Sequence, residues 1–304
     1  MRLWTAGAAP LRRLLACIRF DEVLVLQGAP LFGACFAMRD VAPSVLATLA
    51  VLVAANTCLV AHVFVLNDWS GIDNDQMDPN RCSRTFLATG ANAAEVGALA
   101  VGLLAMALLL CLALGTAALL IAAAIAVLSA LYSLPWLNGK GIPVFNSSLH
   151  LAGGTLHFLF GYAAIGPVSW QGVAIGGYFG LVFMAGHLTH EARDHDGDAL
   201  AAMRTNAVTF GRKAAVLASF AGFTLAYIAL AILAFADIVP RVLAFCALFY
   251  PLHLFAVIQA FRAGLGFDSL RRLQGRYRRI HAAIGLLMLL ALLPMIARLG
   301  AGPA

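Results

Sequence analysis

Apolar runs of about twenty residues recur along almost the whole 304-residue chain, and no other feature restricts its fold so severely. In hydrocarbon no water meets the backbone N–H and C=O groups, so only helices or a closed barrel satisfy them. The runs are continuous rather than alternating, and far longer than strands, which selects helices. Nine spans are predicted, near residues 22–39, 43–66, 93–112, 116–136, 144–164, 172–190, 214–236, 240–261 and 279–298. Gly115 is nearly all that separates the third from the fourth, and Pro240 divides the seventh from the eighth. No polar domain or Pro/Gly/Ser-rich linker intervenes, so residues 1–304 read as one all-α, polytopic membrane bundle.

Charge is scarce, and its placement is therefore informative. Charged residues make up 11% of the chain, against about a quarter in soluble domains. The first 20 residues carry Arg2, Arg12, Arg13 and Arg19 without a long apolar stretch and cleavage site. They read as a basic leader lying on the membrane surface rather than a removed signal. With the amino terminus cytoplasmic, 17 of the 20 Lys and Arg residues fall in inside segments, and only Arg39, Arg241 and Arg298 fall outside. The positive-inside rule then sets the orientation. The formal charge of +6 reflects these basic loops, and nucleic acid is not an expected partner. Cysteines 17, 35, 58, 82, 111 and 246 are scattered without CxxC or zinc spacing and read as small core residues.

Eight of the 14 acidic residues lie in two short windows at the ends of apolar runs. One is LNDWSGIDNDQMDPNRCSR, residues 66–84, with Asp68, Asp73, Asp75 and Asp78. The other is HEARDHDGD, residues 190–198, with Glu191, Asp194, Asp196 and Asp198. The predicted topology puts both windows, and the loop around Lys140, on one cytoplasmic mouth. If the second span continues as a helix, Asp68 and Asp75 share a face about two turns apart, and Asp73 points away. Asp194 and Asp198, at i and i+4, also share a face, and Asp196 does not. Carboxylates gathered at a membrane boundary repel one another unless a cation joins them. An oxygen-only set without His or Cys suits Mg²⁺, which commonly holds substrate phosphates. Arg81, Arg84, Lys140, Arg193 and Arg204 lie on the same side and suit a diphosphate whose charge grows as it leaves.

These motifs resemble the UbiA superfamily of intramembrane prenyltransferases. The family's first motif, NDxxDxxxD, reads here Asn67-Asp68-x-x-Gly71-x-x-x-Asp75. Its second, DxxxD leading to a Gly/Thr segment, reads RDHDGDALAAMRTNAVTFG, with Asp194, Asp198, Arg204-Thr205 and Gly211. Between them, Tyr132-Ser133-Leu134-Pro135 and Lys140 match the YSxxP-like stretch and its following Lys. The resemblance covers nearly the whole chain. It implies a nine-helix bundle around a central cavity, capped on the cytoplasmic side. Asp68, Asp75, Asp194 and Asp198, with Asn67, would hold two Mg²⁺ ions on an isoprenyl diphosphate. Tyr132, Lys140, Arg81, Arg193 and Arg204 would contact the diphosphate. The prenyl tail would lie in an apolar tunnel open to membrane lipid, and an acceptor in the cavity, expected to be aromatic, would attack the allylic cation. Two positions depart from the pattern: Gly71 stands where the middle Asp is usual, and Arg84 is followed by Thr85-Phe86 rather than Pro. A local unwinding at Gly71 would bring Asp73 nearer.

Other residues have plainer readings. Asp73 and Asp78 read as solvated loop acids, and Asn74 and Asn80 as turn formers. Asn146, His150 and His157 share one face of the fifth span and are candidates for an acceptor pocket. For those histidines, as for His62, His187 and His253, a neutral ring bonded to a backbone carbonyl is the alternative. Glu191 is a candidate third ligand or acceptor base. The arginines from 271 to 279 read as a headgroup stripe. Two other functions compete with prenyl transfer. A terpene cyclase of the same superfamily would quench the cation internally and need no acceptor. A transporter would bind near the bilayer midplane, whereas these carboxylates gather at one face.

Overall fold

The computed structural model describes residues 13–300. The part of the basic leader holding Arg2 and Arg12 lies outside the described residues. The described chain is helical throughout: α1 (Phe20–Val25), α2 (Gly28–Ala37), α3 (Pro43–Ser70), α4 (Ile72–Met77), α5 (Ala93–Leu112), α6 (Thr116–Ser133), α7 (Phe145–Ile165), α8 (Trp170–Leu200), α9 (Asn206–Phe210), α10 (Arg212–Phe235), α11 (Tyr250–Arg262) and α12 (Phe267–Gly300). A 3₁₀ stretch, Arg241–Phe249, runs into α11. Among the described residues, eight segments are long and apolar enough to cross a membrane. The remaining long helix, α7, has 21 residues, but Asn146, Ser147, Ser148, His150, Thr155 and His157 dilute its apolar character. Neighbours shield it: α7 packs against α2, α6 and α8. Large apolar side chains elsewhere face outward, Val101, Leu112, Phe235 and Leu248 among them. Exposed aliphatic and aromatic surface on this scale is the lipid-facing coat of a multi-pass integral membrane protein.

Small residues set the closest approaches. Lipid gives no hydrophobic drive for helices to associate, so contact area and backbone proximity hold such bundles together. At the α2–α7 crossing a Cβ on Gly161 would be driven into the Pro30 carbonyl, and one on Gly33 would lie 2.8 Å from the Tyr162 nitrogen. At the α7–α8 crossing a Cβ on Gly154 would lie 2.7 Å from the Phe183 Cβ.

Several boundaries differ from the hydropathy reading, each for a physical reason. The first span is broken between α1 and α2. Pro30 has no N–H for the Leu26 carbonyl, and Asn56 Nδ2 reaches that carbonyl instead, at 3.4 Å. The last helix starts at Phe267, so the arginines from 271 to 279 lie on its first turns and not in a loop. The acidic windows are also largely helical. At 1.5 Å per residue, the 28 residues of α3 and 31 of α8 extend about 42 and 46 Å, against a hydrocarbon core of about 30 Å. Their last turns therefore project beyond it, carrying Asp68 on α3 and Asp194 and Asp198 on α8.

Candidate active site

Helix α3 stops at Ser70, where Gly71 adopts φ −96° and ψ 6°. The chain restarts as α4, which packs on the end of α8. Asp78 follows in an extended conformation because Pro79 disfavours helix in the residue before it. The break at Gly71 disrupts the single face expected for Asp68 and Asp75, and the two carboxylates take different partners. Asp68 accepts from Arg19 Nε at 3.0 Å and again from Arg19 Nη2. Asp75 accepts from Arg81 Nη1 at 3.0 Å.

Arg81 joins the two acidic windows. Its guanidinium also reaches Asp78 at 3.5 Å and donates from Nη2 to Asp194 on α8. Burial works against this positive charge, but Asp194 and Asp75 beside it outweigh that and hold its pKa above the ordinary arginine range. Arg193 grips Asp194 through both carboxylate oxygens, at 2.6 and 2.9 Å. Lys140 lies 3.6 Å from Asp198. Five carboxylates thus share four cationic side chains at the end of the bundle.

Beneath this mouth lies a cavity of about 270 Å³. Arg19, Asn67, Arg81, Lys140, Arg193, Asp194 and Asp198 ring its charged end, and Tyr132 lines the wall beside them. Leu59, Val63, Phe64, Ile125, Leu128 and Leu149 form an apolar side. Ser129, Ser133, His150, His157, His187, His190 and Glu191 add polar wall. Glu191 is 4% exposed and is held by Asn146 Nδ2 at 2.5 Å and Asn206 Nδ2 at 2.8 Å. His157 Nε2 lies 2.7 Å from Asn56 Oδ1, an acceptor only, so the ring nitrogen donates. Asn56 in turn donates to Gln27 Oε1 at 2.9 Å, tying α3 and α7 to the α1–α2 break.

The expected site residues distribute unevenly. Asn67, Arg81, Tyr132, Lys140, Arg193, Asp194 and Asp198 come together on the cavity. Asp68 instead faces a second pocket of about 70 Å³, which it shares with Arg19. Asp75 sits behind the wall as a partner of Arg81. Of the acceptor-pocket candidates, His150 and His157 line the cavity, whereas Asn146 is wholly buried outside the lining and orients Glu191. Arg204 is exposed and has no ion-pair partner among the described residues. Asp73 is exposed, and Asp196 is 71% exposed and paired with Arg212 at 2.6 Å.

Asp78 corrects the solvated-loop reading. Its residue is 5% exposed and packs on Gly197, where any Cβ would strike its carboxylate; it also accepts from the Asn80 N–H at 2.8 Å. Ser129, His190 and Asn206 were not singled out by the sequence, Arg19 was read only as part of the basic leader, and Ser133 only as part of the Tyr-Ser-x-Pro stretch. The only signal for Arg19 as a site residue was its position just before the first span, and Ser129 carried only its i, i+4 spacing to Ser133.

Among the described residues, no three His, Cys, Asp or Glu side chains converge as a cage for a metal ion. Magnesium commonly takes one or two carboxylates and completes its shell with water and substrate phosphate. The paired aspartates at the mouth, all oxygen donors, fit that mode.

The profile of the UbiA prenyltransferase family matches residues 29–281. No curated protein sequence matches the chain. Among solved structures, a UbiA homologue from Archaeoglobus fulgidus bound to GPP and Mg²⁺ superposes with a TM-score of 0.71 at 16% identity, covering 94% of this chain and 99% of that one. The apo UbiA homologue from Aeropyrum pernix K1 gives a TM-score of 0.70 at 20% identity, covering 89% and 98%. A digeranylgeranylglyceryl phosphate synthase structure gives 0.69 at 19% identity, covering 93% and 98%. These likenesses concern the fold.

Proposed function

This chain belongs to the UbiA prenyltransferase family, and from that premise we propose that it transfers a prenyl group from an isoprenyl diphosphate to an acceptor held in its cavity. The observation that carries the reading is Arg81. By bridging Asp75 and Asp194 it unites two acidic stretches remote in sequence at the charged end of an otherwise largely apolar cavity. The A. fulgidus homologue, bound in separate structures to GPP and to DMAPP with Mg²⁺, supports the same donor class here.

In this reading Asp194 and Asp198 on α8, with Asn67, and with Asp68 and Asp75 once released from Arg19 and Arg81, would hold two Mg²⁺ ions, which would supply neutralising positive charge for the leaving diphosphate. Arg81, Arg193 and Lys140 re-pair from carboxylates to phosphate oxygens and meet the charge that grows on the leaving group. Tyr132 offers a hydroxyl hydrogen bond at the same end. Leu59, Val63, Phe64, Ile125, Leu128 and Leu149 take the prenyl tail and keep water from the allylic cation. The preponderance of basic residues on that side supports a cytoplasmic mouth. Acceptor transfer is favoured over internal cyclisation because Ser129, Ser133 and His187 in the cavity wall carry polar atoms without hydrogen-bond partners among the described residues, which an acceptor's polar group would satisfy.

The test is Mg²⁺-dependent release of diphosphate from geranyl diphosphate by the purified chain, and its loss in Asp194→Asn. A fall of about 10²–10³-fold is expected when one preorganised electrostatic contact is removed. Wild-type release by that variant, with normal folding, would refute the assignment. A hydrocarbon product formed without any acceptor would favour the cyclase instead.

A further inference from the structure

The mouth accounts for the diphosphate, but the polar wall deeper in the cavity has partners left over. Among the described residues, six buried side-chain polar atoms lack a hydrogen bond, and three of them, Ser129 Oγ, Ser133 Oγ and His187 Nε2, line this one cavity. Buried polar groups are seldom left unpaired, because each costs about as much as a lost hydrogen bond. Ser129 and Ser133 are i and i+4 on α6 and so lie on one helix face. His187 Nε2 is 3.3 Å from Glu191 Oε1 but is not aligned to bond with it.

His150 stands among them with its tautomer determined. Its Nδ1 lies 2.8 Å from the Asn146 carbonyl oxygen, which can only accept, so Nδ1 carries the proton and Nε2 the lone pair. Nε2 makes no hydrogen bond among the described residues. The ring stacks on His187 at 3.5 Å and 7°, Tyr132 meets it edge-on at 4.9 Å, and Phe183 lies 5.5 Å away on α8. It is thus a rigid imidazole with its basic nitrogen free, in the wall of a site where an acceptor must lose a proton.

Resting on the proposed prenyl transfer, we propose that His150 Nε2 is the base that takes the acceptor's hydroxyl proton, while Ser129, Ser133 and His187 position that hydroxyl. The C1–O bond of the donor breaks with its electron pair leaving on diphosphate. A new bond forms from C1 to the acceptor's oxygen, or to a ring carbon conjugated with it, in which case that carbon's own hydrogen afterwards passes as a proton to the oxygen and restores the aromatic ring. The hydroxyl proton passes to His150 Nε2, giving an imidazolium whose Nδ1–H stays on the Asn146 carbonyl. The buried Glu191 carboxylate next to His187 favours that charge.

The experiment uses the purified full chain with Mg²⁺, geranyl diphosphate, and 4-propylphenol and 1-naphthol alongside their methyl ethers. Product formed per diphosphate released is the readout. Wild type should prenylate the hydroxyarenes and not the ethers, and His150→Gln should lower the ratio by about 100-fold, the usual share of a general base. His150→Ala should regain transfer when imidazole is added, which a purely structural histidine would not allow. The Ser129→Ala/Ser133→Ala variant should raise KM for the hydroxyarenes about tenfold with kcat little changed. Wild-type coupling in His150→Gln, equal use of ethers, or diphosphate release with no arene prenylated would overturn the role of His150. Absence of diphosphate release from wild type would instead fell the prenyltransferase reading itself.

Discussion

Replacing Arg81 by Gln tests whether one guanidinium holds the two acidic stretches together. At an effective dielectric constant near 20, its 3.0 Å contact with Asp75 and 3.5 Å contact with Asp78 are each worth about 5 kcal/mol before desolvation. The Asp194 contact adds a third term of similar kind. Most of that gross attraction is offset by the cost of taking the charges out of water. What remains on deletion is the penalty of leaving carboxylates unpaired, about 3–5 kcal/mol for a largely buried pair. At about 2 °C per kcal/mol for a chain of this size, Arg81→Gln should melt about 6–10 °C below wild type in detergent without divalent ions. Adding Mg²⁺ should recover at least half of the loss, because a cation that binds the folded mouth stabilises it by mass action. Arg81→Lys should restore little, since a point charge cannot address three carboxylates in the geometry of a planar fork. The assay is differential scanning fluorimetry with and without Mg²⁺. A variant that melts with wild type and ignores Mg²⁺ would show that Arg81 is not what joins the two stretches.

Three further outcomes follow from the packing and the predicted orientation. Gly161→Val places a side chain against the Pro30 carbonyl, a backbone atom that cannot rotate away, and should cost about 3 kcal/mol or more in a thermal melt. Gly197→Ala should unseat Asp78 and lower Mg²⁺-dependent diphosphate release, while Asp78→Ala/Gly197→Ala, which clears the clash, should melt higher than Gly197→Ala alone; equal melting would break that link. Cys82 is exposed in the connector between α4 and α5, so a membrane-impermeant maleimide should label it from the cytoplasmic side of inverted vesicles and not from the outside of intact cells. Labelling from outside would reverse the orientation.

Much of the candidate site was already legible as two acid-rich windows and a Tyr-Ser-x-Pro stretch leading to Lys140. The Gly71 break was less so. A helical extrapolation put Asp68 and Asp75 on one face, but the turn at Gly71 sends Asp68 to Arg19 and leaves Asp75 with Arg81. Asp78 looked like a loop acid because a linear reading cannot place it on Gly197, more than a hundred residues later. The unpaired hydroxyls of Ser129 and Ser133 were invisible for the same reason, although Ser133 belongs to the Tyr-Ser-x-Pro stretch: Ser and Thr in a span commonly bond to their own helix, as Thr155 does to the Leu151 carbonyl at 2.9 Å.

From its amino acids alone, the chain was bound to be a helical membrane protein with both acidic stretches at one membrane boundary. Span length, helical period and the bias of basic loops are local quantities, satisfied residue by residue wherever the chain meets lipid. Which side chains share the cavity was decided only when the helices packed. The contacts of Arg81 with Asp194, Asn206 with Glu191 and His157 with Asn56 each join separate elements. Small rotations and breaks, at Gly71 and at Pro30, determine which face each element turns inward, and those depend on the neighbours that fill the freed backbone positions.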